Sequence, residues 1–220
     1  SCTWSITVID NQPPRITCPN DMVAFSDSGS CGTIVDYRIL GSDNCGGGGR
    51  QAIDTSSVHD GDFFAVGTYL LIYELTDGGG NKDTCSFTVD VMDRISPVIS
   101  CPSTITVPID SGACGAMVIY TVTGSDNCSA SIFQRDSTGL TSGDVFPTGL
   151  TTLTYGVIDP AGNEDKCSFD IVVEDTVKPI LHCPSDTTLY ASRFACGAFF
   201  NYAPTASDNC GVDTVIRITP

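Results

Sequence analysis

The chain has 220 residues, and its 26 acidic against 10 basic side chains give a formal net charge of −16. That balance excludes the basic footprint of a nucleic-acid or anionic-membrane binder, and no apolar run approaches the roughly 18 residues of a membrane-spanning helix. Hydrophobic content of 41% argues against disorder, while 12 cysteines point to disulfides or metal sites rather than to thiols in a reducing cytosol. No basic-then-apolar leader opens the stretch, so a secretion signal is expected outside it.

The cysteines define a repeat. Cys2, Cys85 and Cys167 recur at a near-constant step, and Cys18, Cys101, Cys183, then Cys31, Cys114, Cys196, then Cys45, Cys128, Cys210 take the same step. Every cysteine is absorbed by that register, which is the sign of a repeat architecture. Flanking residues repeat with them: Ser42-Asp43-Asn44-Cys45, Ser125-Asp126-Asn127-Cys128 and Ser207-Asp208-Asn209-Cys210. The expected organisation is the last strand of a preceding repeat over 1–10, full repeats over 11–93 and 94–175, and the first half of a further repeat over 176–220. With ends inside repeats, the stretch reads as a window on a longer chain.

Within each repeat the hydrophobic period is two. In the first, Cys31, Thr33, Val35 and Tyr37 share a phase, and residues 46–49 form a glycine tip. In the second, Cys114, Ala116, Val118, Tyr120 and Val122 alternate with Gly115, Met117, Ile119 and Thr121. Leu153, Tyr155 and Val157, then Cys167, Phe169, Ile171 and Val173, alternate likewise, and the third segment repeats the phase at Cys196, Ala198, Phe200 and Tyr202. Strict alternation marks half-buried strands. Turn signals such as Asp110-Ser111-Gly112 and Asp159-Pro160-Ala161-Gly162-Asn163 separate them. The expected fold is all-β: tandem immunoglobulin-like antiparallel β-sandwich domains, cross-linked by disulfides because domains this small bury a modest share of their surface.

Zinc sites use close cysteine pairs, and the nearest cysteines within a repeat, such as Cys18 and Cys31, are too widely spaced for one, so disulfides are preferred to metal. Four cysteines allow three connectivities, and sequence does not choose among them. Strand placement leans to Cys101–Cys167 across the terminal strands, with Cys114–Cys128 as the short-range bond. The equivalents are Cys18–Cys85 with Cys31–Cys45, and Cys196–Cys210. Cys2 and Cys183 then need mates in flanking repeats or in another copy of the chain.

The order Pro-x-Ile-x-Cys-Pro (97–102), Cys-Gly-Ala (114–116), Asp-Asn-Cys (126–128), Phe-Pro-x-Gly (146–149), Tyr-x-Val-x-Asp-x-Ala-Gly-Asn (155–163) and Cys-Ser-Phe (167–169) resembles the hyalin repeat (HYR) domain. The first repeat departs at Phe64-Ala65-Val66-Gly67, which lacks the proline, and at Asp77-Gly78-Gly79-Gly80-Asn81. The resemblance covers essentially the whole chain. It implies an immunoglobulin-like module of extracellular proteins, found in tandem arrays, associated with adhesion and matrix, and carrying no catalytic residues.

Calcium is the candidate ligand. Loops and an incoming linker at one end of each sandwich would gather Asp93, Asp126, Asn127, Asp159 and Asn163 in the second repeat. The first would gather Asp10, Asp43, Asn44, Asp77 and Asn81, and the third Asp175, Asp208 and Asn209. Hard oxygen ligands are what Ca²⁺ requires. The competing reading is that these are turns, with Asx side chains bonding their own backbone and no cofactor required. Asn127-Cys128-Ser129 is the N-x-[ST] sequon and a candidate glycosylation site, or an unmodified loop. Tyr73 and Tyr155 read as packing residues with a hydroxyl partner. His59 and His182 occupy non-equivalent positions and no Gly-x-Ser-x-Gly elbow exists, so no enzyme is expected.

The expected role is a secreted or cell-surface structural or adhesive array, a segment of a longer chain that forms a filament or surface fibre. Its partners are other copies of itself, or matrix and surface proteins. Short linkers such as Asp93-Arg94-Ile95-Ser96-Pro97 would limit bending. The alternative is a binding module whose loops at 46–51 or 137–144 capture a glycan or protein. Strand donation by residues 1–10 to the open third segment is a further expectation, less simple than a longer chain.

Overall fold

The computed structural model describes residues 2–46, 48–193 and 196–218. The first repeat contains β1 (Arg15–Thr17), β2 (Met22–Phe25), β3 (Gly32–Ile34), β4 (Leu40–Ser42), β5 (Gly49–Ala52), β6 (Phe63–Ala65), β7 (Gly67–Thr76) and β8 (Lys82–Met92). The second copies this set as β9 (Val98–Ser100), β10 (Ile105–Pro108), β11 (Gly115–Met117), β12 (Thr123–Ser125), β13 (Ser131–Gln134), β14 (Val145–Pro147), β15 (Gly149–Ile158) and β16 (Glu164–Glu174). The third segment holds β17 (Ile180–His182) and β18 (Thr205–Ser207). Among the described residues there is no helix.

Each full repeat builds one four-stranded sheet, β2-β8-β7-β5 in the first and β10-β16-β15-β13 in the second, faced by the two-stranded pairs β1-β4 with β3-β6, and β9-β12 with β11-β14. The β7–β8 hairpin registers Gly67 against Val91 and Thr76 against Lys82. Its alternation turns Leu71, Tyr73, Phe87, Val89 and Val91 inward against Ile16, Val35, Tyr37, Ile39 and Phe64. The second core repeats this with Leu153, Phe169, Ile171 and Val173 against Ala116, Val118 and Phe146. Phe64 and Phe146 are fully buried. The chain is therefore a tandem set of β-sandwich repeats.

Four details depart from the sequence expectation. The second and last strands of each repeat pair in parallel, β2 with β8 (Met22 with Val89) and β10 with β16 (Ile105 with Ile171), so the sandwich is not purely antiparallel. The alternating run after the second cysteine keeps strand pairing only over β3 and β11, although Val35, Tyr37 and Ile39 stay buried. Residues 2–14 carry no strand, and Trp4, Ile6, Val8 and Ile9 are exposed. The run at 196–202 also lacks a strand, because β3 and β11 pair with β6 and β14, which have no counterpart among the described residues after 176.

Glycine after the second cysteine has a steric cause. A Cβ on Gly32 would overlap the Phe64 carbonyl oxygen, and one on Gly115 would lie 2.6 Å from that of Phe146. Only glycine lets β3 and β11 cross so close to the core phenylalanine strand.

The chain divides into two compact units, Ser1–Val98 with Gly124–Ile132 and Val157–Asp165, and Ile99–Thr123 with Phe133–Gly156 and Lys166–Pro220. The division does not follow the repeats: two loops of the second repeat belong with the first.

Candidate metal centre and disulfide links

A disulfide ties the first of those loops to the first repeat, and hydrogen bonds from Asn163 tie the second. Cys18 bonds Cys85 and Cys101 bonds Cys167, first cysteine to fourth within each repeat. The second and third cysteines do not bond within a repeat. Cys31 bonds Cys128 across 97 residues, and Cys114 bonds Cys210 across 96, with Cα atoms 4.3 and 4.8 Å apart. The expected Cys31–Cys45, Cys114–Cys128 and Cys196–Cys210 bonds are thus replaced by links from the second cysteine of one repeat to the third of the next. The cause is docking: the Asp-Asn-Cys loop of one repeat lies against the Cys-Gly turn of the preceding one. Cys2, Cys45, Cys183 and Cys196 are free and exposed.

The first unit shows the docking in detail. Asn127 Nδ2 donates to the Ser30 carbonyl and to Ser26 Oγ, both at 3.2 Å, and to Asp93 Oδ1 at 3.4 Å. Asp126 Oδ2 accepts from the Cys128 amide at 3.0 Å, an Asx turn that presents the cysteine. The nitrogen that would carry a glycan is thereby engaged at the docking face, and its sequon's middle residue is bonded to Cys31, so the folded sequon is not presented for glycosylation.

Asp93 is 7% exposed. Its Oδ1 accepts from Ser26 Oγ at 2.8 Å and from the Ile95 amide at 3.0 Å. Burial pushes this carboxyl up, but the bonds from Ile95, Ser26 and Asn127 outweigh it and hold the group below its ordinary value. Its Oδ2 is buried without a partner, as are Asp126 Oδ1 and Asn127 Oδ1. The Asp93 and Asp126 carboxylates and the Cys128 sulfur lie within 4.8 Å of one another. The sulfur is spent in a disulfide, so the oxygens are the available ligands. Asp10, Asp43 and Asp77 form a second group within the same span, and Asp175 with Asp208 a third beside Cys210. Buried atoms without partners recur in register at Asp43 Oδ1, Asp208 Oδ2 and Asn209 Oδ1.

Asp159 and Asn163, expected as ligands, have another job. Asp159 Oδ1 accepts from the Asn163 amide at 2.8 Å and Oδ2 from its Nδ2 at 2.7 Å. That orients Nδ2 to donate to the Asp93 and Ile95 carbonyls, each at 3.3 Å. Asn81 does the same in the first repeat, donating to Asp77 Oδ2 at 2.8 Å and to the Asp10 carbonyl at 3.2 Å. The Asp-x-x-x-Asn turn is therefore a clamp on the incoming linker. Arg94 adds to it by stacking 4.1 Å over Phe25, and Pro97 is fully buried. The structure brings Asp159 and Asn163 to the linker at Asp93, and the clamp they form was signalled in the sequence by the Asn that closes each turn.

Tyr73 and Tyr155 each find a tyrosine partner: the Tyr37 and Tyr73 hydroxyls lie 2.6 Å apart, and the Tyr120 and Tyr155 hydroxyls 2.8 Å. His59 sits 3.5 Å from Asp62, and His182 Nε2 3.0 Å from Ser207 Oγ, all at exposed, non-equivalent positions.

This geometry defines a class: tandem β-sandwich modules tied through polar, disulfide-linked loops. The HYR domain model matches residues 9–91 and 92–173, and the chain belongs to the HYR domain family. Hyalin of Lytechinus variegatus is 34% identical over 230 residues, covering 99% of this chain and 42% of that protein. Hyalin of Strongylocentrotus purpuratus is 29% identical over 225 residues, covering 98% and 18%. The Rattus norvegicus sushi, von Willebrand factor type A, EGF and pentraxin domain-containing protein 1 is 30% identical over 176 residues, covering 75% and 5%. The chain thus spans less than half the length of these relatives. The protocadherin GammaB4 extracellular domain superposes with a TM-score of 0.37 at 15% identity, over 82% of this chain and 35% of that one, a likeness too slight to bear on function.

Proposed function

We propose that the chain is part of an extracellular structural or adhesive array whose repeat joints bind Ca²⁺. Four disulfides and the hyalin relatives support an oxidising, extracellular setting. One observation carries the cation reading: Asp93 is buried with Oδ2 unpartnered, in a group with Asp126 and in contact with Asn127. A buried acceptor left unmade costs about 1–3 kcal/mol, and carboxylates gathered in a chain of net charge −16 repel one another. A hard cation removes both penalties. The three unpartnered oxygens would need water or carbonyl oxygens to complete the six to eight typical of Ca²⁺.

On this reading the cation stiffens the joint, and the array acts as a mechanical or adhesive element that associates with copies of itself. The test is a Ca²⁺ titration by calorimetry together with melting in Ca²⁺ and in EGTA, on the parent chain and on Asp126→Ala. Saturable binding that raises the melting temperature and weakens at least tenfold in the variant supports the site. Equal melting in Ca²⁺ and EGTA overturns it. Sedimentation under both conditions reads self-association separately.

A further inference from the structure

We infer that Cys45 and Cys196 are the two open ends of a repeating covalent link. Cys196 takes the cysteine of an Asp-Asn-Cys loop from another HYR repeat, and Cys45 takes the cysteine of another repeat's Cys-Gly turn. The inference does not depend on a bound cation.

Register is the first support. Both second-position cysteines with a following repeat in this chain, Cys31 and Cys114, bond a third-position cysteine, Cys128 and Cys210, at separations of 97 and 96. Cys196 is the second-position cysteine of the third segment and Cys45 the third-position cysteine of the first repeat. The same step places the mate of each in a repeat on the far side of it.

Preformed geometry is the second. The Cys45 amide donates to Asp43 at 3.0 Å, as Cys128 does to Asp126 at 3.0 Å and Cys210 to Asp208 at 2.9 Å. Cys45 is thus held out by the same Asx turn as the two bonded cysteines. Where a mate is present, the asparagine of that loop docks on the carbonyl just before the partner cysteine: Asn127 on Ser30 at 3.2 Å and Asn209 on Ala113 at 2.7 Å. These docked loops are half-buried, whereas Asn44, Cys45 and Cys196 are exposed. The turn is built before its partner arrives.

Forming each link removes two protons and two electrons from a pair of thiols. A small-molecule disulfide such as oxidised glutathione accepts them and leaves as two thiols. The mate belongs either to a further repeat of the same polypeptide or to another copy, since Cys196 and Cys45 are themselves complementary.

The experiment is disulfide mapping of the native protein, alkylated before digestion and analysed without reduction. The expected result is Cys45 joined to a Cys-Gly peptide and Cys196 joined to an Asp-Asn-Cys peptide. Mass then identifies the source. Species that collapse on reduction to 23.1 kDa place the mates in other copies, and a larger mass unchanged by reduction places them in the same polypeptide. Cys45 joined to Cys31, Cys196 joined to Cys210, or either residue recovered alkylated overturns the inference.

Discussion

Removing the Cys31–Cys128 bond with the double substitution Cys31→Ser and Cys128→Ser should lower the melting of the first repeat by an amount fixed by chain topology. Suppose that repeat unfolds while the second stays folded and Cys18–Cys85 stays intact. The loop closed by the link then runs from Cys31 back to Cys18, across that bond to Cys85, and on to Asp93, where the folded second repeat carries the path back to Cys128. A loop of about 21 residues restricts the unfolded chain by about 3 kcal/mol at 25 °C. For a domain this small that is a fall of roughly 15 °C. Differential scanning calorimetry of the oxidised protein reads it, with Cys128→Ser alone as the comparison, because Cys128 lies in the second repeat and a bond within the first repeat would not need it. A bond from Cys31 to Cys45 would close a loop of similar size, so the double variant alone does not discriminate. The comparison does: if Cys128→Ser alone leaves the transition of the first repeat where it was, the cross-repeat link is wrong.

Four further outcomes follow from the cores and the buried carboxylates. Phe64→Ala empties a fully buried site and should cost about 3–5 kcal/mol in urea unfolding of the first repeat, with Phe146→Ala equivalent in the second. Tyr37→Phe should lose about 1 kcal/mol by stranding the Tyr73 hydroxyl, and Tyr73→Phe added to it should cost less than the sum of the two. Burial, then the Tyr73 hydroxyl, raises the Tyr37 phenol, so its absorbance change should appear well above the ordinary tyrosine value of about 10. Asp77, through its Asn81 bonds, and Asp93, through bonds that outweigh burial, are both held below the ordinary carboxylate value. Each therefore contributes stability that is complete above the unfolded pKa of about 4 and is lost as pH falls through the lower folded value. Melting should be flat from neutral pH to about 5 and drop below 4, and replacing Asp93 with Asn should flatten that drop.

Periodicity of two made the strand faces legible, because an alternating run with one face in the core has no other register: Leu71, Phe87 and Val89 and their partners Leu153, Phe169 and Ile171 all turned inward. Spacing did not reveal where Cys31 bonds. Cys45 within the same repeat and Cys128 in the next stand at equally regular positions in a repeating sequence, so register cannot tell them apart. Only the docking of Asn127 on Ser30 selects the distant one. The cation candidates were grouped from chain order at one end of a sandwich, and Asp93 with Asp126 does assemble. Asp159 and Asn163 fell in the same place for a different reason, since their side chains bond each other and the linker carbonyls. Residue type alone does not separate a ligand from a clamp.

The joint in the first unit is over-determined, and that has a physical logic. The linker at 93–97 would retain conformational freedom worth about 1–2 kcal/mol per residue if only its ends were fixed. Asn163 instead bonds its carbonyls at two points, Asp93 caps the Ile95 amide, Arg94 packs on Phe25 and Pro97 fixes its own φ in a fully buried site. The Cys31–Cys128 bond then ties the loop at 126–128 to the turn at 30–32, independently of the linker. The buried Asp93 carboxylate lies where these two attachments meet: its Oδ1 accepts from Asn127 of the docked loop, its Oδ2 has no partner, and its backbone is part of the clamped linker. A group bound there would sense both attachments at once, so loosening either the disulfide or the asparagine clamp should weaken its binding even though neither supplies a ligand atom.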